Sequence, residues 1–425
     1  MDIFSKKHAQ KLDAQDPLRH FREKFNLPDS DLIYLDGNSL GVMPLTTKPH
    51  LENVLEEEWG RGLIRSWNTG WYERSQQIAA KIAPLIGAKP HEVIVADSTS
   101  VNLFKLGWAA LQFQKGRKAI VSDELNFPSD IYLLQGLVNM SGKQLELRLA
   151  SSHDGMTVSA EELKDKMGND TALLTLSHVV FKSAFMYDMK SITHFAHKQG
   201  ALVMWDLSHA TGAVPVDLNG SNADLAVGCT YKYLNGGPGS PAFLYVREDL
   251  HQKLLSPIWG WFGQDNPFDF QLEYKPAPGI ERFLAGTPPM LSLSALDPSL
   301  DIFLEAGMAK IREKSFQQTE YLIALMEKFL VPVGFALASP REGARRGSHV
   351  SLSHPEAYRI CKALIDKETG NKVVIPDFRE PDNIRLGIAP LYNTFEEIFD
   401  AVMELKEIAE KKLYQKFSAE RDAVT

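Results

Sequence analysis

The chain of 425 residues has only two cysteines, Cys229 and Cys361. Two thiols make no disulfide framework, and their placement has no zinc-ligand spacing, so no staple or metal is expected. No run approaches the roughly 18 uninterrupted apolar residues of a membrane helix. The N-terminal stretch MDIFSKKHAQKLDAQD mixes charged and apolar residues, with no apolar h-region and no small-residue cleavage site. It does not read as a secretory signal, and with so little cysteine a reducing cytoplasm is the expected compartment. No basic tract stands out. Lys+Arg 46 against Asp+Glu 54 gives a net charge of −8, so neither nucleic acid nor an anionic membrane is the expected partner. G-x-G-x-x-G, G-x-x-x-x-G-K-[ST] and H-E-x-x-H are all missing, which leaves dinucleotide, P-loop and zinc-protease readings without their motifs.

What is present is a large globular chain with 44% apolar and 24% charged residues. At this length it can bury roughly three quarters of its unfolded surface. Between residues 88 and 246 short β-type runs alternate with helical ones. Strands are expected at 92–96, 118–122, 145–149, 173–176, 201–205, 224–228 and 242–246. Helices are expected at 101–113, 130–140, 159–167 and 189–199, the last closed by Gly200. The run ALVMW at 201–205 is apolar throughout, as in a strand buried on both faces. This alternation predicts an α/β fold with a mainly parallel sheet covered on both sides. Further on, a long helix is expected over 300–330, strands at 349–353 and 373–375, and helices at 355–366 and 395–416. Prolines concentrate at 287–298, where a smaller α+β domain is expected to begin. The expected organisation is an N-terminal arm over 1–48, a large domain over 49–292 and a small C-terminal domain over 293–425.

Several segments carry candidate chemistry. Gly37-Asn38-Ser39-Leu40-Gly41 matches G-x-S-x-G, the nucleophile elbow of α/β-hydrolases. That elbow needs a helix after its serine, and Val42-Met43-Pro44 suits a turn better, so a Gly-bounded loop is the commoner reading. Asp206-Leu207-Ser208-His209-Ala210 follows ALVMW directly, which puts a carboxylate and an imidazole at the C-terminal end of a central strand. Ligands of open α/β sheets bind at that edge, although the segment also reads as a structural cap. Lys232 lies in TYKYLNGGPG, among aromatic and glycine residues. Most lysines are simply exposed, but a desolvated lysine can form a Schiff base with a carbonyl. Asp206 with Lys232 is the pairing a pyridinium cofactor needs, a carboxylate for its ring nitrogen and an amine for its aldehyde. Thr99 and Ser100 open the 101–113 helix, where they either cap it or meet an anion.

At this point the sequence resembles the kynureninases, pyridoxal-phosphate enzymes of fold type I in the class V aminotransferase superfamily. The matching segments are GNSLG at 37–41, DSTSVNL at 97–103, FPSD at 127–130, DLSHA at 206–210, YKYLN at 231–235, GWFG at 260–263, TPP at 287–289 and NIRLGIAPLYN at 383–393. The resemblance implies a fold type I large domain with a smaller C-terminal domain, pyridoxal 5'-phosphate as cofactor, and hydrolytic Cβ–Cγ cleavage of L-kynurenine to anthranilate and L-alanine in tryptophan catabolism. 3-Hydroxykynurenine would be a second substrate.

Lys232 would hold the cofactor aldehyde and move the α-proton, Asp206 would pair with the ring nitrogen, and Tyr231 would serve as general acid. Phe127 would stack on the ring. Pro128, Ser129 and Asp130 of the same segment, with Thr99, Ser100, Ser177 and His209, would complete the cofactor shell. Trp261 and Thr287 would reach the phosphate from the neighbouring subunit of a homodimer. Arg385 would clamp the substrate carboxylate, with Asn38, Ser39 and Trp67 toward the aryl group. Other outcomes would be another class V enzyme such as an aminotransferase or desulfurase, a regulator that keeps the fold, or a serine hydrolase using Ser39.

Overall fold

The computed structural model describes residues 2–27, 31–142 and 144–420. Thirteen strands run in chain order: β1 (Leu32–Tyr34), β2 (Val93–Val95), β3 (Ala119–Asp123), β4 (Glu146–Ala150), β5 (Thr171–Ser177), β6 (Leu202–Asp206), β7 (Leu225–Gly228), β8 (Phe243–Val246), β9 (Ala336–Leu337), β10 (His349–Ser353), β11 (Val373–Ile375), β12 (Asp377–Arg379) and β13 (Asn383–Gly387). The main sheet has seven strands in the order β2-β8-β7-β6-β5-β3-β4. β8 is antiparallel to both neighbours, and the remaining pairs are parallel. All seven strands expected from the alternation are present, within one or two residues at most ends.

The reason lies in burial. Every residue of β3, β5, β6, β7 and β8 is buried, as apolar runs covered on both faces demand. Helices Thr99–Phe113 and Pro128–Met140 cover one face with Leu103, Leu106, Leu134 and Leu137. Helix Met189–Lys198 covers the other, and Trp205 of β6 reaches it, donating from Nε1 to Thr193 Oγ1 at 3.2 Å. Gly200 follows with φ 74°, the left-handed C′ geometry anticipated for it.

The C-terminal part departs from expectation in three ways. The long helix is two, Met290–Ala306 and Met308–Phe329, broken at Gly307 with φ 79°. The first packs Leu293, Leu296, Leu300 and Phe303 into the large core, so that core extends past residue 293. The small sheet, ordered β12-β13-β10-β9, is built largely from strands not anticipated, and β11 does not join it. Instead β11 pairs in parallel with β1 from the N-terminal arm.

That arm is therefore part of both cores. Ala9, Ile33 and Leu35 pack with the C-terminal unit, and Leu18, Phe21 and Phe25 with the large one. Asp16 meets Lys314 at 2.6 Å, and both side chains are nearly inaccessible. Burial costs each charge its hydration, so the pair holds only as a pair. Asp16→Asn is expected to destabilise the fold by about 3 kcal/mol, read as a lower urea midpoint, because it strands a buried ammonium. Adding Lys314→Met should recover most of the loss; a double variant no better than the single one would contradict this account of the pair.

Candidate active site

The parallel register builds the site. Ser177 ends β5 directly beside Asp206, which ends β6. The Asp206 carbonyl accepts from His178 N at 2.9 Å, and Leu207 N donates to the Val227 carbonyl at 2.8 Å. The Asp206 backbone is thus pinned from both neighbouring strands. Its Oδ1 accepts from the backbone N and hydroxyl of Ser208 at 2.8 and 2.6 Å, and the Ser177 hydroxyl lies 3.5 Å from Oδ2. The same Ser177 hydroxyl donates to Asn126 Oδ1 at 2.5 Å, which also accepts from Phe127 N at 2.9 Å. Asn126 in turn donates to Ser122 at 3.1 Å. One polar chain therefore fixes Phe127 relative to the carboxylate of Asp206.

Phe127 is the N-cap of helix Pro128–Met140, and Pro128 occupies the first helical position. A proline belongs there, because that position has no helical partner for its missing N–H. The turn aims Asp130 at Asp206. Burial first, then the Asp206 charge beside it, pushes the Asp130 carboxyl well above its ordinary range, and the two side chains hydrogen-bond. Two buried carboxylates in contact do not both ionise, so Asp130 is the protonated donor. Its Oδ2 is buried without a partner.

Lys232 faces this group from the loop after β7. Thr230 anchors the loop to Ser240 Oγ and the Pro241 carbonyl, both at 2.6 Å. Asn235 takes φ 55°, a left-handed conformation asparagine tolerates, and its N–H returns to the Lys232 carbonyl at 2.9 Å. Lys232 Nζ lies 3.4 Å from His209 Nε2 and 5.8 Å from the centres of the Phe127 and Tyr231 rings. Burial, and then the Lys232 charge, holds His209 well below the ordinary histidine range, so it is neutral. Burial also pushes the Tyr231 phenol up, with Cys229 contributing, so it keeps its proton.

The Thr99–Phe113 helix begins nearby. Its cap is Ser98, which accepts from Val101 N, so of the two readings open for Thr99 and Ser100 capping is not the one realised. Thr99 and Ser100 are instead the first two helical residues, and Ser100 Oγ meets Ser129 Oγ at 3.3 Å. Hydroxyls and free N–H groups at this end suit an anion.

Arg385 on β13 lies on the opposite wall. Asp377 takes its Nε at 2.5 Å and also pairs with Nη2. Nη1 donates to the Phe181 carbonyl at 2.5 Å, and Nη2 to Ser39 at 3.2 Å. The Phe181 ring meets Phe127 edge-on at 5.2 Å, which joins this wall to the first.

The segment Gly37–Gly41 runs between them. Gly41 N donates to the Tyr231 carbonyl at 2.8 Å, and a Cβ on Gly41 would collide with Asn235 and the Lys232 carbonyl. Asn38 is fully buried against Gly387, with neither amide atom paired. Ser39 lies in a turn, its N–H bonded to the Asp36 carbonyl at 2.9 Å, so the strand–serine–helix elbow is absent. Cys229 and Cys361 are both buried, with their thiols pushed up by burial, which suits neither for a mobile-loop nucleophile.

Trp67 and Trp261 are not joined to this group. Both pack on Phe262, in an aromatic cluster with Trp71 and Tyr72, and Trp261 is 40% exposed. Thr287 lies in the loop before helix Met290–Ala306. A cleft of about 940 Å³ opens at the other end of β3 and β4, and none of the acid–base groups line it. Sequence reading missed Asn126, Phe181 and Asp377. Asn126 precedes FPSD, and that adjacency was the one signal available.

These residues fit pyridoxal 5'-phosphate. A fixed carboxylate faces an amine across an aromatic ring, hydroxyls gather at a helix start, and a buried carboxyl oxygen on Asp130 lacks a partner. Solved structures share the fold. An apo cysteine desulfurase from Thermococcus onnurineus NA1 superposes with a TM-score of 0.80 at 18% identity, covering 92% of this chain and 98% of that one. A C-DES variant with glycine covalently linked to its PLP cofactor gives 0.78 at 17% identity, covering 91% and 99%. The fold is fold type I of the PLP-dependent enzymes. At the level of sequence, residues 311–405 match the model of the kynureninase C-terminal domain. A kynureninase of Pseudomonas fluorescens is 46% identical over 408 residues, 95% of both chains. One from Burkholderia mallei (strain SAVP1) is 43% identical over 416 residues, 97% of both. The chain belongs to the kynureninase family.

The neutral state of Asp130 is testable. Asp130→Asn places a neutral donor at the same reach and is expected to keep cofactor affinity within a few-fold. Asp130→Ala leaves Asp206 one donor short and should weaken cofactor binding by about 1–3 kcal/mol, roughly 5-fold to 150-fold. Equal losses in the two variants would contradict a donating Asp130.

Proposed function

We propose that this chain hydrolyses L-kynurenine at its Cβ–Cγ bond, giving anthranilate and L-alanine, with pyridoxal 5'-phosphate as cofactor. The observation that carries the reading is the opposition of Asp206 and Lys232 at the end of the parallel strands, in a chain of this family. When bound, pyridoxal phosphate supplies an electron sink for the negative charge that develops at the substrate α-carbon and, as the Cβ–Cγ bond breaks, at the β-carbon.

The protein supplies orientation and protons. Asp206, held by Ser208 and flanked by Ser177, would keep the cofactor ring nitrogen protonated, and protonated Asp130 would keep a second negative charge from forming beside it. Lys232 Nζ would hold the cofactor by its aldehyde and, once freed by the substrate amine, would carry the substrate α-proton. Neutral His209 offers that amine an acceptor and no competing charge. Phe127, locked through Asn126, would cover the ring. Thr99, Ser100 and Ser129 would hold the phosphate. Tyr231 keeps its phenolic proton through burial and gives it to the carbon that becomes the alanine methyl group. Arg385, steadied by Asp377 along one edge, would turn its other edge to the substrate carboxylate, which would take the place of the Phe181 carbonyl and leave the Ser39 contact in place. Asn38 and Ser39 lie beside that edge.

A homodimer belongs to the same reading. Trp259, Phe268, Phe270 and Leu272 are exposed in one segment with Trp261, an apolar surface that suits a subunit interface. In the dimer Trp261 and Thr287 reach the partner's phosphate, and Trp67 borders the aryl pocket. The arm over 1–48 is shared between the two cores, and the large core takes in Leu293, Leu300, Phe303 and Ile311 beyond the boundary expected at 292/293. Residence in the cytoplasm and a role in tryptophan catabolism and NAD biosynthesis complete the proposal. Among the described residues no helix is long and apolar enough to cross a membrane.

Holoenzyme given L-kynurenine is expected to release anthranilate, read by its fluorescence, with an equal amount of L-alanine. Lys232→Ala should lower the rate by at least about 10³-fold, within the range a positioned acid–base group contributes. A keto acid in place of alanine, or no anthranilate, would overturn the assignment. Between substrates, a higher kcat/KM is expected for L-kynurenine than for 3-hydroxykynurenine.

A further inference from the structure

We propose that Asp36 is a positioning residue for substrate: through Ser39 it aligns Arg385, and it has to be uncharged while Arg385 holds the substrate carboxylate. This rests on the role given to Arg385 above.

Asp36 follows β1 and bridges in parallel to Gly387 at the end of β13. It therefore sits two residues along the strand ladder from Arg385. Ser39 joins the two: its hydroxyl accepts from Arg385 Nη2 at 3.2 Å, its backbone N–H donates to the Asp36 carbonyl at 2.9 Å, and its side chain favours the charged form of the Asp36 carboxyl. Asp36 Oδ1 is buried with no partner. On the far edge Asp377 grips Nε and Nη2, and its Oδ1 pairs with Arg379 at 3.1 Å. Arg385 thus lies between two acidic residues, Asp377 in direct contact and Asp36 reached through Ser39.

The charges decide what Asp36 must be. Arg379 and Arg385 bring two positive charges, and Asp377 with a bound carboxylate would bring two negative ones. An ionised Asp36 would add a third negative charge at a guanidinium that is 1% exposed. No other group compensates. Tyr34 from β1, Tyr233 from the lysine loop, Tyr392 after β13 and Cys361 from helix Ala357–Ile365 all face Asp36, and all are held in their uncharged forms by burial. Burial first, and Asp377 second, push the Asp36 carboxyl up to about 7, so its charge changes within the working range. Below that value Asp36 is neutral and the carboxylate seat is balanced. Above it Asp36 ionises and opposes the substrate carboxylate.

The test uses the holoenzyme and L-kynurenine, with kcat and KM measured from pH 6 to 9. Wild-type KM is expected to rise with pH above about 7, approaching tenfold per pH unit until the repulsion saturates. Asp36→Asn, locked neutral, is expected to lose that rise relative to wild type and to bind L-kynurenine about tenfold better than wild type at pH 8.5. A gain of binding is something structural damage does not produce. Kynuramine, which lacks the carboxylate, should show no difference in slope between the two enzymes. Ser39→Ala removes the link while leaving Asp36 in place, and should raise KM several-fold with kcat largely kept. Parallel KM–pH slopes in wild type and Asp36→Asn would overturn the proposal while anthranilate release leaves the kynureninase reading standing. No anthranilate from wild type would sink both. If Asp36→Asn fails to fold, an unchanged KM in Ser39→Ala would count against the proposal, and the expected rise confined to KM would support it.

Discussion

The carboxylate of Asp206 at the end of β6 is the constraint around which the rest is arranged. A buried negative charge is costly unless it is hydrogen-bonded and countered. The protein meets that cost with Ser208 and Ser177 in contact, a protonated Asp130 alongside, and the Lys232 amine across the crevice. Each partner is delivered by a different connection. Ser177 comes with the register of β5, Ser208 with the turn after β6, Asp130 with the helix after β3 and Lys232 with the loop after β7. Parallel strands make this convergence possible, because every strand-to-helix turn emerges at the same edge of the sheet.

The second half of the site comes from a different sheet. Arg385 projects from β13, and its Asp377 partner sits directly opposite on β12. The N-terminal segment Gly37–Gly41 is the mechanical link between the halves. Gly41 presses its backbone against the lysine loop, closer than any side chain would permit, and Asn38 packs on Gly387. Ser39 touches the arginine between them. The arm that appears peripheral in sequence thus sets the distance between amine and guanidinium, and its β1–β11 pairing anchors it to the C-terminal unit.

Much of this was legible in the sequence. The seven strands of the main sheet announce themselves because strands buried on both faces leave uninterrupted apolar runs such as ALVMW. Asp206 and Lys232 were legible because a lone carboxylate and a lone amine follow such runs. What stayed hidden depends on contacts distant in sequence. β12 and β13 carry alternating charges, Asp377, Arg379 and Arg385, that read as surface until paired with one another. The helix break at Gly307 has no proline to mark it. The protonated state of Asp130 requires Asp206 beside it, and the packing of Phe181 between Phe127 and Arg385 comes from a loop with no motif of its own. The motif resemblance named the family correctly. Thr99 and Ser100 were legible at the helix start from the strand before them, but the cap belongs to Ser98 because its hydroxyl is the one within reach of Val101 N.

The most direct measurement is borohydride reduction of the holoenzyme, followed by proteolysis and mass mapping of the pyridoxyl label. A stable adduct on Lys232, within the peptide TYKYLNGG, is the expected result, with Lys105, Lys314 and the surface lysines unlabelled. Label on any other lysine, or none at all, would contradict the opposition of Asp206 and Lys232 as the basis of the site.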